Sequence, residues 1–316
     1  MTKSKVVIIG TGFVGMSYAY ALLNQGTVEE IVLVDINQEK AEGEALDLNH
    51  GLAFAPRKMT IKAGDYQDCK DAGLVVITAG VNQKPNETRI DLLNRNANII
   101  KNVTQSVMKS GFNGIILVAT NPVDILTYVA WKESKLPSSK VFGSGTSLDT
   151  ARLRYEISKY INIDSRNIHA YILGEHGDSE FVCWSKAYVG AKPMLDVIES
   201  MDQIEFEDLQ DIYRNVRDAA QEIIKRKQAT YYGIGMSLVR ITAAIFNNEN
   251  RIIPVSVYNQ GVYDIDQDLY IGLPSVINSD GIHHVVHLKL DDVEQEKLEI
   301  SASIINKKLI SIGYKQ

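Results

Sequence analysis

One histidine stands in a setting suited to proton transfer. His176 lies between Gly174 and Gly177, and it follows an apolar run over 168–173 that predicts a strand. The two glycines allow a tight turn that leaves the imidazole open to a ligand. Because the unperturbed pKa of histidine lies near physiological pH, this side chain suits proton exchange with a reacting oxygen. A hydrogen-bonded histidine at a strand end has the same local signature, so the pattern alone leaves both interpretations open.

A second group of charged residues lies near the start of a predicted helix whose N-cap is Thr146 or Ser147. Asp149 and Arg152 are three residues apart and share a helix face, whereas Arg154 must point elsewhere. Asp149 could pair with His176 and fix its tautomer, while Arg152 presents a planar fork to a carboxylate. An acidic residue in a first helical turn is also favoured by the helix dipole alone. Spacing does not decide between these interpretations.

The N-terminal segment predicts a nucleotide site. A buried strand over 6–9 runs into GTGFVG at 10–15 and then into a helix over 16–24. Strand, G-x-G-x-x-G and helix in this order place a pyrophosphate on a helix N-terminus. The next strand ends in Asp35, 20 residues after the last glycine, where a carboxylate would hydrogen-bond the adenosine ribose. A carboxylate there repels a ribose phosphate, so the expected cofactor is NAD rather than NADP. The predicted cofactor contacts in this part of the chain are Gly10, Gly12, Phe13, Val14, Gly15 and Asp35.

Polar or small residues also follow two later strands. Ligands of parallel sheets bind at the carboxyl ends of the strands, so we expect these residues to border the cofactor. Asn121 could contact the nicotinamide or a substrate oxygen, although an asparagine before a proline is equally typical of a turn. The segment 81–89 predicts either a solvated connection or a lid that carries Arg89 onto a bound substrate. The strand-end residues predicted to contact the cofactor are Thr78, Ala79, Gly80 and Asn121.

These motifs lie in an alternation of strands and helices. The predicted strands of the first half are 6–9, 31–34, 60–63, 74–79, 115–119 and 141–142. Because these strands are almost continuously apolar, they predict an α/β fold with a Rossmann-type, doubly wound parallel sheet. The second half predicts an α+β region with helices over 202–227, 231–246 and 292–312 and antiparallel strands over 252–257, 270–277 and 285–290.

Composition excludes several classes of protein. The net charge of −6 and a pI near 5.6 argue against nucleic acid as a partner. No apolar run approaches the roughly 20 residues that span a bilayer, and the N-terminus lacks a signal-peptide pattern. With only Cys69 and Cys183 in the chain, no disulfide framework is expected, and the predicted location is the cytoplasm. His283, His284 and His287 lack a cysteine or carboxylate at suitable spacing, so no metal site is predicted.

Five sequence blocks together resemble the L-lactate/malate dehydrogenase family, and within it the bacterial L-lactate dehydrogenases. The blocks are GTGFVG at 10–15, TAGVNQKPNETR at 78–89, ATNPVD at 119–124, GSGTSLDTARLR at 143–154 and LGEHGDS at 173–179. They occur in the family's order and are distributed over residues 10–179 of the 316. The resemblance implies an NAD-binding domain over 1–143, a catalytic domain over 144–316, and a homotetramer or at least a dimer.

The resemblance also implies a role for each matching residue. His176 would donate and accept the proton with Asp149 as its partner, and Arg89 would polarise the substrate carbonyl. Arg152 would bind the substrate carboxylate, and Asn121 would contact the substrate oxygen. The implied reaction is the reversible reduction of pyruvate to (S)-lactate by NADH, as in glycolysis and fermentation.

One loop position separates the two specificities of this family. Malate-specific members carry an arginine there for the second carboxylate, and the matching residue here is Gln83. Burying that carboxylate without a cation would be costly. Thr230 falls where the family lines the methyl end of the substrate, so both positions favour lactate. A malate dehydrogenase or another 2-hydroxy acid dehydrogenase is the alternative.

The remaining implications concern regulation and two other classes of NAD-binding protein. Many bacterial members bind fructose 1,6-bisphosphate between subunits through residues that match Arg154 and His169, although a salt-bridged surface arginine would explain Arg154 equally well. An NAD-dependent glycosidase of related fold would need a metal held by cysteine and histidine, and that pattern is missing. A non-catalytic NAD-binding protein is disfavoured because the histidine, the aspartate and both arginines are present.

Overall fold

The computed structural model describes residues 4–82, 87–200, 206–259 and 261–315. The strands are β1 (Lys5–Ile9), β2 (Glu30–Val34), β3 (Thr60–Ala63), β4 (Leu74–Ile77), β5 (Ile115–Val118), β6 (Val141–Gly143), β7 (Ile168–His169), β8 (Ile172–Leu173), β9 (Phe181–Val182), β10 (Tyr188–Val189), β11 (Lys192–Pro193), β12 (Arg251–Tyr258), β13 (Tyr270–Asn278) and β14 (Gly281–Val285). The α-helices are α1 (Phe13–Gln25), α2 (Gln38–His50), α3 (Arg89–Lys109), α4 (Val123–Ser134), α5 (Ser147–Ile161), α6 (Met194–Glu199), α7 (Phe206–Lys227), α8 (Tyr232–Phe246) and α9 (Asp292–Ser311).

A nine-stranded sheet runs through the molecule in the order β14-β13-β12-β6-β5-β4-β1-β2-β3. Strands β1 to β6 are parallel to one another. Both faces of β1, β2, β4 and β5 are buried, which is why their sequences are apolar without alternation. The predicted α/β fold with a Rossmann-type parallel sheet is confirmed.

The antiparallel strands of the second half extend this same sheet. β12 lies antiparallel to β6 and pairs with it through Ser256 and Gly143, and β13 and β14 follow beyond it. The strand predicted over 285–290 lies instead at Gly281–Val285. Beyond Val285 the backbone is hydrogen-bonded by a tyrosine side chain. The Tyr263 hydroxyl donates to the Val286 carbonyl and accepts a hydrogen bond from the Leu288 N–H. The Val286 N–H still donates to the Pro274 carbonyl of β13 at 2.8 Å, but the Tyr263 contacts take the place of further strand pairing.

The strand predicted over 168–173 is divided in two. β7 pairs with β10 in a small sheet with β11, whereas β8 pairs with β9. These short strands cover a second apolar cluster, in which α5 packs on α7. Leu153, Ile157, Ile212 and Val216 are buried at that contact. The first residues of α5 are thereby held against the segment that precedes His176.

Candidate active site

The loop that carries His176 is fixed by contacts from distant parts of the chain. Gly174 has φ of +98° and forms an isolated bridge with Gly272 of β13. An added Cβ at Gly174 would lie 2.7 Å from the Ser301 Oγ, so this position requires glycine. The Glu175 N–H donates to that same hydroxyl at 2.5 Å, and the Glu175 carboxylate pairs with Lys308. These contacts tie the loop to α9.

The side chain of His176 contacts Asp149, as the sequence hypothesis required. Nδ1 of His176 lies 2.7 Å from Oδ2 of Asp149, and Oδ1 of Asp149 accepts a hydrogen bond from Nη1 of Arg152 at 2.9 Å. Asp149 is buried, and its position in the first turn of α5 puts it at the positive end of the helix dipole. Since Nδ1 is held by the carboxylate, Nε2 is the nitrogen left for a ligand.

The electrostatics of this pair favour the charged histidine. Burial acts to lower the pKa of the His176 imidazole, but the charge and hydrogen bond of Asp149 outweigh burial and raise this pKa to about 9. Burial acts in the opposite sense on Asp149, and its contacts with His176 and Arg152 bring the pKa of that carboxyl below the ordinary value. The arrangement can therefore hold a proton on the imidazole at neutral pH and release it from Nε2.

A second buried carboxylate orients the histidine backbone. Asp124 accepts the His176 N–H at 2.8 Å and the Ser256 hydroxyl at 2.5 Å. Burial raises its pKa to about 6, although both hydrogen bonds act to lower it. Sequence reasoning missed this residue. The only signal was a carboxylate in the first turn of an otherwise apolar helix, α4, which also fits a helix-dipole contact.

The glycine-rich turn has the shape that its spacing predicted. Gly10 has φ of +106°, and a Cβ there would lie 2.7 Å from the Ala79 nitrogen. A Cβ on Gly15 would lie 2.0 Å from the Gly10 carbonyl oxygen, so helix α1 and strand β1 can approach only with glycine at this position. Gly12 differs, because a Cβ there would meet no protein atom within 4 Å. It caps α1 without a side-chain hydrogen bond, so the helix N–H groups face open space, as an anion site requires.

Asp35 lies beside this turn. Its carboxylate accepts the Thr11 N–H at 2.7 Å, the Thr11 hydroxyl at 2.9 Å and the Asn37 N–H at 3.0 Å. Burial acts to raise its pKa, but these hydrogen bonds and the charge of Lys40 lower that pKa below its ordinary value. A carboxylate accepts about four hydrogen bonds, so one acceptor position is left for a ribose hydroxyl. The open Gly12 and this anionic group fit a dinucleotide.

The strand ends complete a cleft around the turn. Thr78 donates from Oγ1 to the Gly10 carbonyl at 2.8 Å, and Thr120 donates to the Ala79 carbonyl at 2.8 Å. One cleft is lined by residues of the turn, of the strand ends and of α3, including Gly10, Gly12, Asp35, Thr78, Ala79, Gly80 and Val103. Asn121 follows Thr120 and leads into α4, whose Asp124 holds the His176 backbone. The histidine is thereby joined to the edge of the sheet that carries the cleft.

Other predicted residues lie at the rim or away from this cluster. The Arg89 side chain is 90% exposed and pairs with Asp178 at 4.0 Å. Phe13 is exposed and stacks on Tyr231 at a centroid distance of 5.2 Å, which brings the segment after Thr230 beside the glycine-rich turn. Val14, by contrast, packs against the main core. Gln83, on which the predicted specificity rests, lies outside the described residues.

The two predicted effector residues are neighbours in the fold. Nε of Arg154 donates to the Ala170 carbonyl at 3.2 Å, and its guanidinium lies over the Tyr171 ring at 5.4 Å. His169, the residue before Ala170, is exposed on β7. Arg154 makes no ion pair in the described part of the chain, which removes the salt-bridged alternative there.

Comparison with known proteins places this geometry in a family. A model described as "lactate/malate dehydrogenase, NAD binding domain" matches residues 4–143, and one described as "lactate/malate dehydrogenase, alpha/beta C-terminal domain" matches residues 146–313. An L-lactate dehydrogenase of Geobacillus sp. (strain WCH70) is 56% identical over 302 residues, which is 96% of this chain and 94% of that protein.

Solved structures agree with these matches. A lactate dehydrogenase, MGS-M5, from a Medee basin deep-sea metagenome library aligns with a TM-score of 0.98 at 73% identity, covering 99% of this chain and 100% of that one. The minor L-lactate dehydrogenase of Enterococcus mundtii in its ligands-bound form aligns with a TM-score of 0.97 at 49% identity over 100% of both chains. Within the described residues, no helix is long and apolar enough to cross a membrane. The cofactor of this chain is NAD, and the chain belongs to the lactate/malate dehydrogenase family.

Proposed function

We propose that this chain is an NAD-dependent L-lactate dehydrogenase that interconverts pyruvate and (S)-lactate. The observation that carries the proposal is the buried contact of Asp149 with both His176 and Arg152, at 2.7 and 2.9 Å. We infer that residues 1–143 hold the cofactor and residues 144–316 hold most of the substrate contacts. We place the reaction in the cytoplasm, in fermentative glycolysis.

The contacts of the charged side chains support a proposed role for each of them. When bound, NADH supplies the hydride that adds to the keto carbon of pyruvate. His176 donates its proton from Nε2 to the keto oxygen as negative charge develops there. Asp149 holds the ring in the required tautomer and stabilises the imidazolium. Arg152 keeps one edge on Asp149 and presents its remaining N–H groups to the substrate carboxylate.

Three further predicted residues, from three different parts of the chain, would complete the site. The Arg89 side chain lies at the first residue of α3 and reaches Asp178, two positions beyond His176. When substrate is bound, the Arg89 guanidinium would leave Asp178 and polarise the keto oxygen instead. Asn121 at the end of β5 would contact the same oxygen or the nicotinamide, and Thr230 would line the methyl end of pyruvate.

The direct test compares two 2-oxo acids. NADH oxidation, followed by absorbance, should be faster with pyruvate than with oxaloacetate by a factor of about 100 or more in kcat/KM, because the latter would bury an unpaired carboxylate. NADPH should replace NADH poorly, because Asp35 repels the added phosphate. A preference for oxaloacetate, or no NADH oxidation with either acid, would contradict the proposal.

Specificity should change with one residue on the loop. Replacing Gln83 by arginine (Gln83→Arg) should raise kcat/KM for oxaloacetate and lower it for pyruvate, because the cation pairs with the second carboxylate. The matched control is Gln83→Lys at the same position, which supplies a point charge without the bidentate fork and should shift the preference less. An unchanged preference for pyruvate in Gln83→Arg would contradict the assignment of this position.

We also infer that the chain works as an oligomer, a homotetramer or at least a dimer. Helices α1 and α8 pack together and expose large apolar side chains: Phe13, Tyr20, Tyr232 and Met236 are each more than half exposed. Such a patch on a lone subunit is typical of a surface that a second copy covers. Light scattering after gel filtration should give two or four times the mass of 35.1 kDa.

Arg154 and His169 support a proposal about regulation. Arg154 makes no ion pair with any residue that the structure describes, and with the exposed His169 nearby it suits an anionic effector such as fructose 1,6-bisphosphate. Pyruvate saturation measured with and without the sugar bisphosphate should show a lower KM in its presence. Arg154→Gln should abolish that difference, and equal curves for the unmodified protein would contradict the proposal.

A further inference from the structure

A third carboxyl group lies beside the His176–Asp149 pair. Glu180 follows His176 by four residues and immediately precedes β9. Its side chain is only 5% exposed, and its Oε2 lies 3.9 Å from Nδ1 of His176. This distance is too long for a hydrogen bond but short enough for a strong electrostatic interaction in a buried site. One titrating atom from each of Asp149, His176 and Glu180 lies within 4.8 Å of the corresponding atoms of the other two.

The hydrogen bonds around His176 and Asp149 do not involve the Glu180 carboxyl. Asp149, not Glu180, takes the Nδ1 contact at 2.7 Å. The Glu180 backbone is anchored, because its N–H donates to the Gly177 carbonyl at 3.2 Å and its carbonyl accepts the Tyr213 hydroxyl of α7. In the part of the chain that the structure describes, the carboxyl itself takes part in no hydrogen bond. Its position beside the imidazole is therefore fixed by the backbone and by packing.

The charges facing Glu180 come from every neighbouring element. Asp149 and Arg152 face it from α5, Asp124 from α4, and His176 from its own loop, while Tyr213 lies on the α7 side. With both cations and all three carboxyl groups charged, the buried site would carry a net negative charge, which is unfavourable. A neutral Glu180 removes that excess. Burial, with a contribution from Asp149, raises the pKa of the Glu180 carboxyl to about 9, although His176 and Arg152 act to lower it.

We propose that Glu180 is a positioning residue that sets, through space, how readily His176 gives up its proton. The inference rests on the proposed dehydrogenase function and deepens it. At neutral pH the uncharged acid leaves Asp149 as the anionic partner of the imidazole. As the pH rises, ionisation of Glu180 adds a negative charge 3.9 Å from Nδ1 and so opposes loss of the imidazolium proton. His176 and Glu180 then titrate as a pair.

Glutamine is the matched probe, because it has the shape of the neutral acid and cannot ionise. Glu180→Gln should keep kcat/KM for pyruvate near pH 7 within about twofold, and the alkaline fall of the pH profile should move down by about one pH unit. Glu294→Gln is the control, since Glu294 is equally buried but contacts Ser185 and Cys183 instead of the histidine. Its profile should match the unmodified protein.

A second readout does not depend on turnover. Diethyl pyrocarbonate reacts with the neutral imidazole, so the pH dependence of His176 labelling, read by mass spectrometry of its peptide, should shift in the same direction in Glu180→Gln. Glu180→Asp moves the carboxyl away from His176 but keeps it ionisable, so the pH dependence of labelling should shift less. This variant replaces Glu180→Gln in the experiment if the glutamine variant fails to fold.

Superimposed profiles and labelling curves for Glu180→Gln and the unmodified protein would overturn the proposal. So would a loss of more than tenfold at pH 7 with an unmoved alkaline limb, since that result indicates a purely structural role. An unmodified protein that does not oxidise NADH with pyruvate would refute the proposed function instead. The labelling curves would then still decide whether Glu180 acts on His176.

Discussion

The glycine-rich turn and the His176 loop are built in opposite ways. The turn is a local structure, in which Gly10, Gly12 and Gly15 shape the backbone within six residues. The loop is held by long-range side-chain contacts: His176 meets Asp149, 27 residues before it, and its N–H meets Asp124, 52 residues before it. The turn depends on the absence of side chains, whereas the His176 loop depends on which side chains converge.

Because the two regions are built differently, substitutions in them should impair different properties of the protein. Adding atoms to the turn should damage folding or cofactor binding, and removing groups at the loop should damage proton transfer while leaving the cofactor in place. The following substitutions test that separation, beginning with the largest effect.

His176→Asn should remove proton transfer alone. The asparagine keeps a polar side chain but cannot donate a proton to the keto oxygen, so kcat for pyruvate should fall by about 10²–10⁴. NADH affinity, measured by fluorescence titration, should change by no more than about twofold, because the turn does not depend on this side chain. Residual activity within tenfold of the unmodified protein would contradict the assigned role.

Gly15→Ala and Gly12→Ala should separate packing from ligand contact inside the turn. The Cβ at 15 would lie 2.0 Å from the Gly10 carbonyl oxygen, so this variant should lose about 1–3 kcal/mol of unfolding free energy and bind NADH about 10–100 times more weakly. The Cβ at 12 meets no protein atom within 4 Å, and the φ of −74° and ψ of −175° suit alanine.

Gly12→Ala should therefore keep its Tm in the absence of cofactor and lose only NADH affinity. Thermal melts with and without NADH check both variants. If Gly12→Ala were destabilised as strongly as Gly15→Ala without ligand, the open space at Gly12 would not be the cofactor site.

Asp124→Asn should have the smallest effect, because it acts through the histidine backbone. Asp124 accepts two hydrogen bonds, and both partners are donors, whereas an asparagine offers one acceptor atom and a mismatched amide. The expected loss is about 1–3 kcal/mol of unfolding free energy, with a fall in kcat of about tenfold. Ser256→Ala, which removes one of the two donors, is the milder control. An Asp124→Asn variant with unchanged kcat and Tm would show that this contact does not hold the loop.

Local patterns predicted the shape of the glycine-rich turn, because its residues are neighbours in the sequence as well as in space. The glycines, Asp35 and the strand ends are recognisable because sequence neighbours are neighbours in space. The extent of the sheet was less predictable, since β12 joins β6 across more than a hundred residues. The last strand was wrongly predicted at 285–290. Hydrophobic periodicity cannot show that the Tyr263 hydroxyl, rather than a neighbouring strand, bonds to the Val286 carbonyl and the Leu288 N–H.

The side-chain contacts around His176 were predictable in part. Helical spacing put Asp149 and Arg152 on one face, but only the family resemblance joined them to His176. Asp124 and Glu180 were missed, because a buried carboxyl group in a helix turn or before a short strand has no local signature. Their effect on the histidine becomes visible only through tertiary contacts.

The pH dependence of both reaction directions tests proton transfer through His176 most directly. Because the pKa of His176 is raised from 6.5 to about 9, the imidazolium persists at neutral pH and is lost as the pH rises through 9. Pyruvate reduction, which needs the imidazolium, should lose kcat/KM above about pH 9, and lactate oxidation, which needs the neutral ring, should gain kcat/KM up to that pH. In Asp149→Asn the imidazole loses its main anionic partner, and burial then lowers the pKa of His176. The pH at which each profile changes should therefore move well toward lower pH. Profiles that are flat between pH 7 and 10, or that break at the same pH with and without Asp149, would contradict the account.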